Sequence, residues 1–340
     1  MPLQSLDQTC ITPNPDFEQL RKTLLRKGNP NHVPFFELFV NVDVMEKLLG
    51  RPIITRADTV EFYYKAGYDY IPVWACVDML FGSLIDRSKP YPITDWKSFE
   101  EYPWPGVDAI SYAEFEQVAQ VLPDGMKATC NSGLGGFLEC LETLIGYEQL
   151  CFMLIDNPEL VEAICARVEE LFVSMYKNMA EMDVVGAVDI HDDMGFKTQT
   201  LLRPDDLRKY ILPVHKKLAE IGHAAGKPVY MHSCGQLSSI MEDIIQDVKI
   251  DAKHSYEDSI LPVTEAKKLY GGRIAILGGF DVDRLCRSTE EEVRAYTRML
   301  VTELGDGGYA LGSGNSIAGY IPTENYLAML DEGWRLRSGA

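Results

Sequence analysis

Residues 226–235 read Gly-Lys-Pro-Val-Tyr-Met-His-Ser-Cys-Gly. Gly226 ends the helical pattern before it. Val229 and Met231 give the stretch the apolar start of a buried strand. His232 and Cys234 follow, spaced so that a continuing strand would put them on one side. At a strand end running into Gly235 both face one pocket. An imidazole nitrogen and a thiolate together suit zinc, and a site with few protein ligands leaves a position open for substrate. The plainer reading of the pair is a half-buried histidine and an inert core cysteine, because cysteine is among the most buried residue types.

Reading outward, a helix over 204–225 precedes this strand, with Leu207, Tyr210, Ile211, Val214, Leu218 and Ile221 on one face. Before it, 184–190 reads as a strand ending in His191-Asp192-Asp193. Beyond it come strands at 250–254, at 274–277 ending in Gly278-Gly279, and at 308–311 ending in Gly312-Ser313-Gly314-Asn315. Toward the N-terminus lie strands at 127–132, 68–74 (weakened by Pro72) and 33–39. Helices are expected over 17–27 and 59–66. Another starts at Asn157-Pro158, with the stripe Leu160, Ile164, Val168, Leu171, Met175. Ser288 and Glu291 form a capping box for a helix towards Leu304, and a last helix begins near Pro322. Residues 78–107 carry Pro90, Pro92, Pro103 and Pro105 with Trp96 and Trp104, an irregular excursion expected to pack over the mouth of a site. Eight strands alternating with helices predict an α/β fold, a single (β/α)8 barrel over 31–340 behind an N-terminal lead-in, 1–30. The doubly wound alternative lacks a Gly-x-Gly-x-x-Gly turn into an early helix.

The chain of 340 residues carries a net charge of -19, which argues against nucleic acid and anionic membrane surfaces as partners. Its 46% hydrophobic and 24% charged residues are ordinary for a soluble globular protein. No run approaches the roughly 18 apolar residues of a membrane span, and residues 1–19 do not read as a signal peptide. The eight cysteines are scattered without a Cys-x-x-Cys pair or a disulfide framework, so a reducing cytoplasm is the expected setting.

In such a barrel the active site lies at the C-terminal ends of the strands. Reactive residues fall there repeatedly: Glu37, Asn131, His191, Asp192, Asp193, His232, Cys234, His254, Ser313, Asn315 and Ser316. Asp192 and Asp193 taken singly read as a solvated pair or a cap; convergence on one rim is what marks the set. Gly278-Gly279 and Gly312-Ser313-Gly314 suit a phosphate cradle or simply tight turns. Few basic residues adjoin them, which ranks the cradle below the metal reading.

With these pieces in order, the chain resembles the uroporphyrinogen decarboxylase superfamily over nearly its whole length. The resemblance rests on Glu37, on 146–158, on Asp192-Asp193-Met194-Gly195 with Pro204 and Pro213 after it, and on His232-Ser233-Cys234-Gly235. It is completed by Gly278-Gly279-Phe280-Asp281 and Pro322-Thr323-Glu324-Asn325. It implies a (β/α)8 barrel. True decarboxylases of that superfamily carry an Arg-Gln-Ala-Gly-Arg type motif that grips porphyrinogen carboxylates; residues 35–41 here read Phe-Phe-Glu-Leu-Phe-Val-Asn, with no arginine. The other branch, corrinoid-dependent methyltransferases, carries His-x-Cys and a later second cysteine, all binding zinc. His232 and Cys234 match the first two ligands. The region of the second cysteine, 312–316, holds serine and asparagine instead.

A third ligand would then be a carboxylate: Glu37, Asp192 or Asp193, with Asp193 and Glu37 leading. That exchange makes the metal a harder Lewis acid, suited to a methyl ether more than to a thiol. The resemblance thus implies a methyltransferase that uses zinc and a separate corrinoid protein supplying cobalamin. It would act on a small, methoxylated donor, with Asp192, Asp193 and Glu37 as catalytic carboxylates and His254, Asn315 and Gly279 as cofactor contacts. No Asp-x-His-x-x-Gly corrinoid signature occurs in the chain itself. A metal-independent decarboxylase or lyase, and a non-catalytic binding relative, are the alternatives.

Overall fold

The computed structural model describes residues 4–77 and 91–338. Its centre is one eight-stranded sheet in the order β2-β1-β3-β4-β5-β6-β7-β8. The strands are β1 (Tyr70–Val77), β2 (Ile110–Ser111), β3 (Lys127–Ser132), β4 (Val185–His191), β5 (Val229–His232), β6 (Ala252–His254), β7 (Ala275–Leu277) and β8 (Tyr309–Ala310). All neighbouring pairs are parallel except β1 with β2. Helices alternate with the parallel strands, so both faces of each strand are covered and the strands read as near-continuous apolar runs.

The sheet is curled. Phe35 pairs in parallel with Leu311 beside β8, while Glu37 of the same segment meets β1 at the other edge. There the Glu37 N–H donates to Tyr70 Oη at 2.8 Å and the Tyr70 hydroxyl donates back to the Glu37 carbonyl. The expected first strand at 33–39 is therefore corrected to two isolated bridges, Phe35 with Leu311 and Val40 with Ile317. Pro34 has no N–H for a ladder, and a phenol takes the backbone bonds that a neighbouring strand would have made. The eighth regular strand is instead β2, which no periodicity in the sequence announced.

Pro72 sits inside β1 without breaking it. The Asp69 carbonyl accepts from Lys127 at the start of β3 and the Ala75 carbonyl from Gly133 just after its end. In a parallel strand alternate residues bond to opposite sides, so the even-numbered Pro72 faces the seam, where no ladder donor is lost.

Helix 204–224 forms where its apolar stripe predicts, with a local widening. Pro213 has no N–H and its ring excludes the carbonyl four residues back. Over Leu207–Ile211 the helix opens to a wider turn, and Leu212 N–H reaches back to the Leu207 carbonyl. Gly226, at φ 71°, closes it. Its buried side packs on β4 and β5: a Cβ at Gly222 would stand 2.6 Å from Val229 and 3.2 Å from Val188. Val188 thus faces the helices, and by alternation Asp189 and His191 face the opposite side of the curled sheet.

The helix Pro158–Glu181 follows Asn157 as expected, and Leu160, Ile164, Val168, Leu171 and Met175 are all buried. The capping box of the helix Glu290–Leu304 falls one residue later than expected, on Thr289 and Glu292. Ser288 is already engaged, closing the preceding helix through its N–H to Arg284. Near the N-terminus, Phe17, Leu20 and Leu24 of the helix Phe17–Leu25 are buried in the common core. Of the aromatic excursion, residues 78–90, including Pro90, lie outside the described residues. Trp96, Phe99, Tyr102 and Trp104 stack edge to face on one another, and the Tyr91 ring lies against Gly146. Among the described residues no helix is long and apolar enough to cross a membrane.

Candidate metal centre

His232 is the last residue of β5, and the chain leaves the strand through Ser233 and Cys234 into Gly235, at φ 82°. This turn brings Cys234 Sγ back to 3.4 Å from His232 Nε2. The loop after β4 joins them because two glycines touch: a Cβ on Gly235 would lie 2.2 Å from the Gly195 backbone, and one on Gly195 2.6 Å from the Cys234 carbonyl. No other residue lets the two loops approach so closely. Asp193 is thereby placed with Oδ1 accepting from the Cys234 N–H at 2.8 Å and lying 3.7 Å from His232 Nε2. One nitrogen, one sulfur and one carboxylate oxygen from His232, Cys234 and Asp193 fall within 4.8 Å of one another.

The surroundings hold this trio in place. Asn315 Nδ2 donates to Cys234 Sγ at 3.2 Å and Ser255 Oγ approaches it at 3.5 Å. Ser255 does so from a left-handed backbone, φ 80°, uncommon for a residue with a Cβ. His232 Nδ1 lies 2.8 Å from His254 Nδ1, and His254 Nε2 lies 3.1 Å from the Ser313 carbonyl. Ser313 in turn donates its N–H to Glu37 Oε1 at 2.7 Å and its hydroxyl to Glu37 Oε2. The ring of His191 stacks flat on His232, centroids 4.8 Å apart and planes 3° apart. Its Nε2 is 3.5 Å from Glu139.

Burial dominates the electrostatics, disfavouring whichever form is charged. It lowers His254 to about 3 and drives His232 well below the usual histidine range, the neighbouring imidazoles adding to the effect. It raises Glu37 to about 8 against the bonds from Ser313. Burial, with Asp193 beside it, pushes the Cys234 thiol up to about 12. Among the described residues, the buried cation beside the site is Lys253, lowered to about 8 by burial. Its ammonium donates to the carbonyls of Ser233, His254 and Ser255, at 3.1, 3.0 and 2.8 Å. It ties the ends of β5 and β6 together around Cys234.

The residues singled out from sequence are distributed unevenly. His232, Cys234, Asp193, His254 and Asn315 form one connected cluster, with His254 joined through His232 and Asn315 through Cys234. Glu37 connects only through Ser313, with both oxygens engaged. Asp192 is wholly buried beneath the site: it accepts from Leu138 N–H through both oxygens (3.0 and 2.9 Å), from Glu139 N–H at 3.3 Å, and meets His215 Nε2 at 2.8 Å. It braces the start of the helix Phe137–Ile145. Gly279 donates its N–H to the Ser313 carbonyl at 3.1 Å, and Gly278 and Phe280 donate to Ala310 and Gly312. Those amides are engaged within the sheet, so they do not form an anion cradle. Lys253, Ser255, Glu139 and His215 were missed. A lysine inside an otherwise buried parallel strand was the available signal for Lys253. Outside the trio, a cleft of about 780 Å³ opens on Asn315, walled by Lys197, Glu257, Asp281, Arg284 and Tyr320.

Residues 106–333 match the family model described as uroporphyrinogen decarboxylase (URO-D). Among solved structures the chain is similar to a methyltransferase from Methanosarcina mazei, with TM-score 0.67 and 18% identity over 93% of this chain and 97% of that one. At that identity the likeness speaks for the fold. A putative vitamin-B12 independent methionine synthase from Listeria monocytogenes aligns at TM-score 0.45 and 14% identity over 91% of this chain and 96% of that one. No curated protein matches the chain.

Proposed function

We propose that this chain, which belongs to the uroporphyrinogen decarboxylase family, is a zinc-dependent methyltransferase on a complete (β/α)8 barrel. It would move a methyl group between a small methoxylated compound and a separate corrinoid protein that brings the cobalamin. The observation that carries the reading is the convergence of His232, Cys234 and Asp193. Zinc bonds of about 2.0–2.3 Å to nitrogen, oxygen and sulfur put tetrahedral donors roughly 3.3–3.7 Å apart. Two of the three separations, 3.4 and 3.7 Å, fit that spacing, and the third, between Cys234 and Asp193, lies within 4.8 Å. Three protein donors leave a fourth position for substrate.

Asp193 takes the place of the second cysteine of the methyltransferase branch. Glu37 is less suited, because Ser313 occupies both of its oxygens. Bound zinc would serve as a Lewis acid on the oxygen of a methyl ether. The chain's own groups do the rest. Asn315 and Ser255 hydrogen-bond the sulfur and hold its direction. Asp193 fixes the Cys234 backbone, and Lys253 pins both strand ends. Glu139, beside His191 and partly open to solvent, is the carboxyl placed to receive or return a proton on the substrate side.

Metal analysis by mass spectrometry on the purified protein, on Cys234→Ala and on Asp193→Ala tests this directly. Near-stoichiometric zinc is expected in the native protein and its loss in both variants. Methyl transfer from methoxylated compounds to a reduced corrinoid protein should disappear with it. A native protein that carries no metal after growth with zinc would overturn the reading.

A further inference from the structure

We propose that His254, Ser313 and Glu37 form a line of positioning groups that locks His232 as the Nδ1–H tautomer and leaves its Nε2 lone pair facing Cys234 and Asp193. The proposal deepens the metal reading above, but the lock itself is a property of the metal-free chain.

The logic runs from the one atom whose role is fixed. The Ser313 carbonyl only accepts, so His254 Nε2, 3.1 Å away, carries a hydrogen. His254 is fully buried, with the Phe36 ring against it at 5.1 Å. No carboxylate is bonded to it among the described contacts, so the neutral ring is the favoured form. A neutral His254 with its proton on Nε2 has a bare Nδ1. The facing Nδ1 of His232, at 2.8 Å, must then be the donor. The remaining nitrogen of His232, Nε2, carries the lone pair. It lies 3.4 Å from Cys234 Sγ, on the side of the Cys234–Asp193 pair. The second nitrogen of a metal-ligating histidine is ordinarily oriented in this manner by its hydrogen-bond partner.

The far end of the line explains residues that otherwise have no task. A carboxyl as deeply buried as Glu37 is unfavourable unless its bonds are needed. Here it grips Ser313 by both N–H and Oγ–H, which sets the direction of the Ser313 carbonyl. The glycines leave room for this. A Cβ on Gly312 would lie 1.6 Å from the Phe36 carbonyl oxygen. One on Gly278 would lie 2.1 Å from the Ser313 carbonyl oxygen and 2.8 Å from His254 Nε2. The glycine pairs after β7 and β8, legible in sequence as an anion cradle or as turns, are in this reading the space the line occupies.

The test is histidine-selective 15N NMR of the metal-free protein, with the six histidines assigned by single substitutions, together with zinc affinity by competition. The native protein should show a protonated Nδ1 and bare Nε2 at His232, and the opposite tautomer at His254. In His254→Phe, whose ring can keep the contact with Phe36, His232 should lose its single tautomer. Zinc affinity should fall about 10–100-fold. Glu37→Gln, which keeps an acceptor for Ser313, should move both readouts less. A native His232 protonated on Nε2 overturns the proposal whatever the variants do. So does a His254→Phe protein in which the His232 tautomer is unchanged. If the native tautomers are as stated but no zinc binds, the metal function fails alone and the lock stands.

Discussion

The two sides of the sheet's C-terminal rim use polar residues in opposite ways. At the ends of β4 and β5, donor atoms are left available: Cys234 Sγ, His232 Nε2 and a half-exposed Asp193 within 4.8 Å. At the ends of β7 and β8 nearly everything is taken. Gly278, Gly279 and Phe280 donate into the sheet, Gly314 donates to Phe280, and Ser313 is held by Glu37. On the proposed function, one side holds the chemistry and the other is the frame it is set against. A glycine-rich strand end is therefore a statement about close approach first, and about ligands only if its amides are free.

The sharpest way to break this contrast is to place a methyl group on each side. In Gly312→Ala the new Cβ would meet a backbone carbonyl, that of Phe36, and cannot fit without opening the pairing between Phe36 and Leu311. A loss of about 3 kcal/mol in urea unfolding is expected. Cys234→Ala, compared in the metal-free state, should stay within about 1 kcal/mol of the native protein, because a half-buried thiol with no packing task is removed. Equal losses in the two variants would erase the distinction between frame and site.

Glu37 offers the next largest effect. Its carboxyl, near 4.5 when exposed, is raised by burial to about 8. A group whose folded pKa is raised binds its proton more tightly in the native state. Its contribution is fully present below about pH 4.5, declines as pH rises, and is lost by about pH 8. Asp189 and Asp69, both raised by burial to about 6, add to the same slope over the lower part of that window. His232 and His254, lowered by burial, oppose this slope below their ordinary value of about 6.5. Stability should therefore fall from about pH 6.5 to pH 8, and Glu37→Gln should flatten the decline. An unchanged slope in Glu37→Gln would mean that the frame side carries no such stored proton.

Legibility in the sequence followed the same divide. The parallel strands from 127 onward, the helix stripes and the His232–Cys234 pair are local patterns of period and spacing, and they appear where expected. The sequence favours Asp193 over Asp192 as the third donor, and it is the one beside His232 and Cys234, but the physical reason is not local. Asp192 and Asp193 differ only in which side of the chain they leave, and that is decided by the helix Phe137–Ile145 and by the contact between Gly195 and Gly235, far apart in sequence. Glu37 was legible as important but not as indirect, because its bond to Ser313 spans 276 positions. Lys253 was hidden by its own environment: three carbonyls that only the folded strand ends bring together.

The smallest expected effect is the most specific to the comparison. Asn315 lies on the frame side, at the end of the glycine-rich loop after β8, yet its amide reaches across to Cys234 Sγ. It occupies the region where the methyltransferase branch carries a further cysteine. In Asn315→Ala the sulfur loses one neutral donor, worth about 1 kcal/mol. That is several-fold in zinc affinity, far less than the loss on removing His232 or Cys234 themselves. Stability in the metal-free state should hardly change. In Asn315→Cys the frame would instead supply a second thiolate. If zinc affinity rises above the native value in that variant while it falls in Asn315→Ala, the position is adjacent to the metal, and the native asparagine keeps the site weaker and harder than its two-cysteine relatives. If neither substitution moves the affinity, Asn315 only shields the thiol, and the two sides of the rim do not meet at the metal.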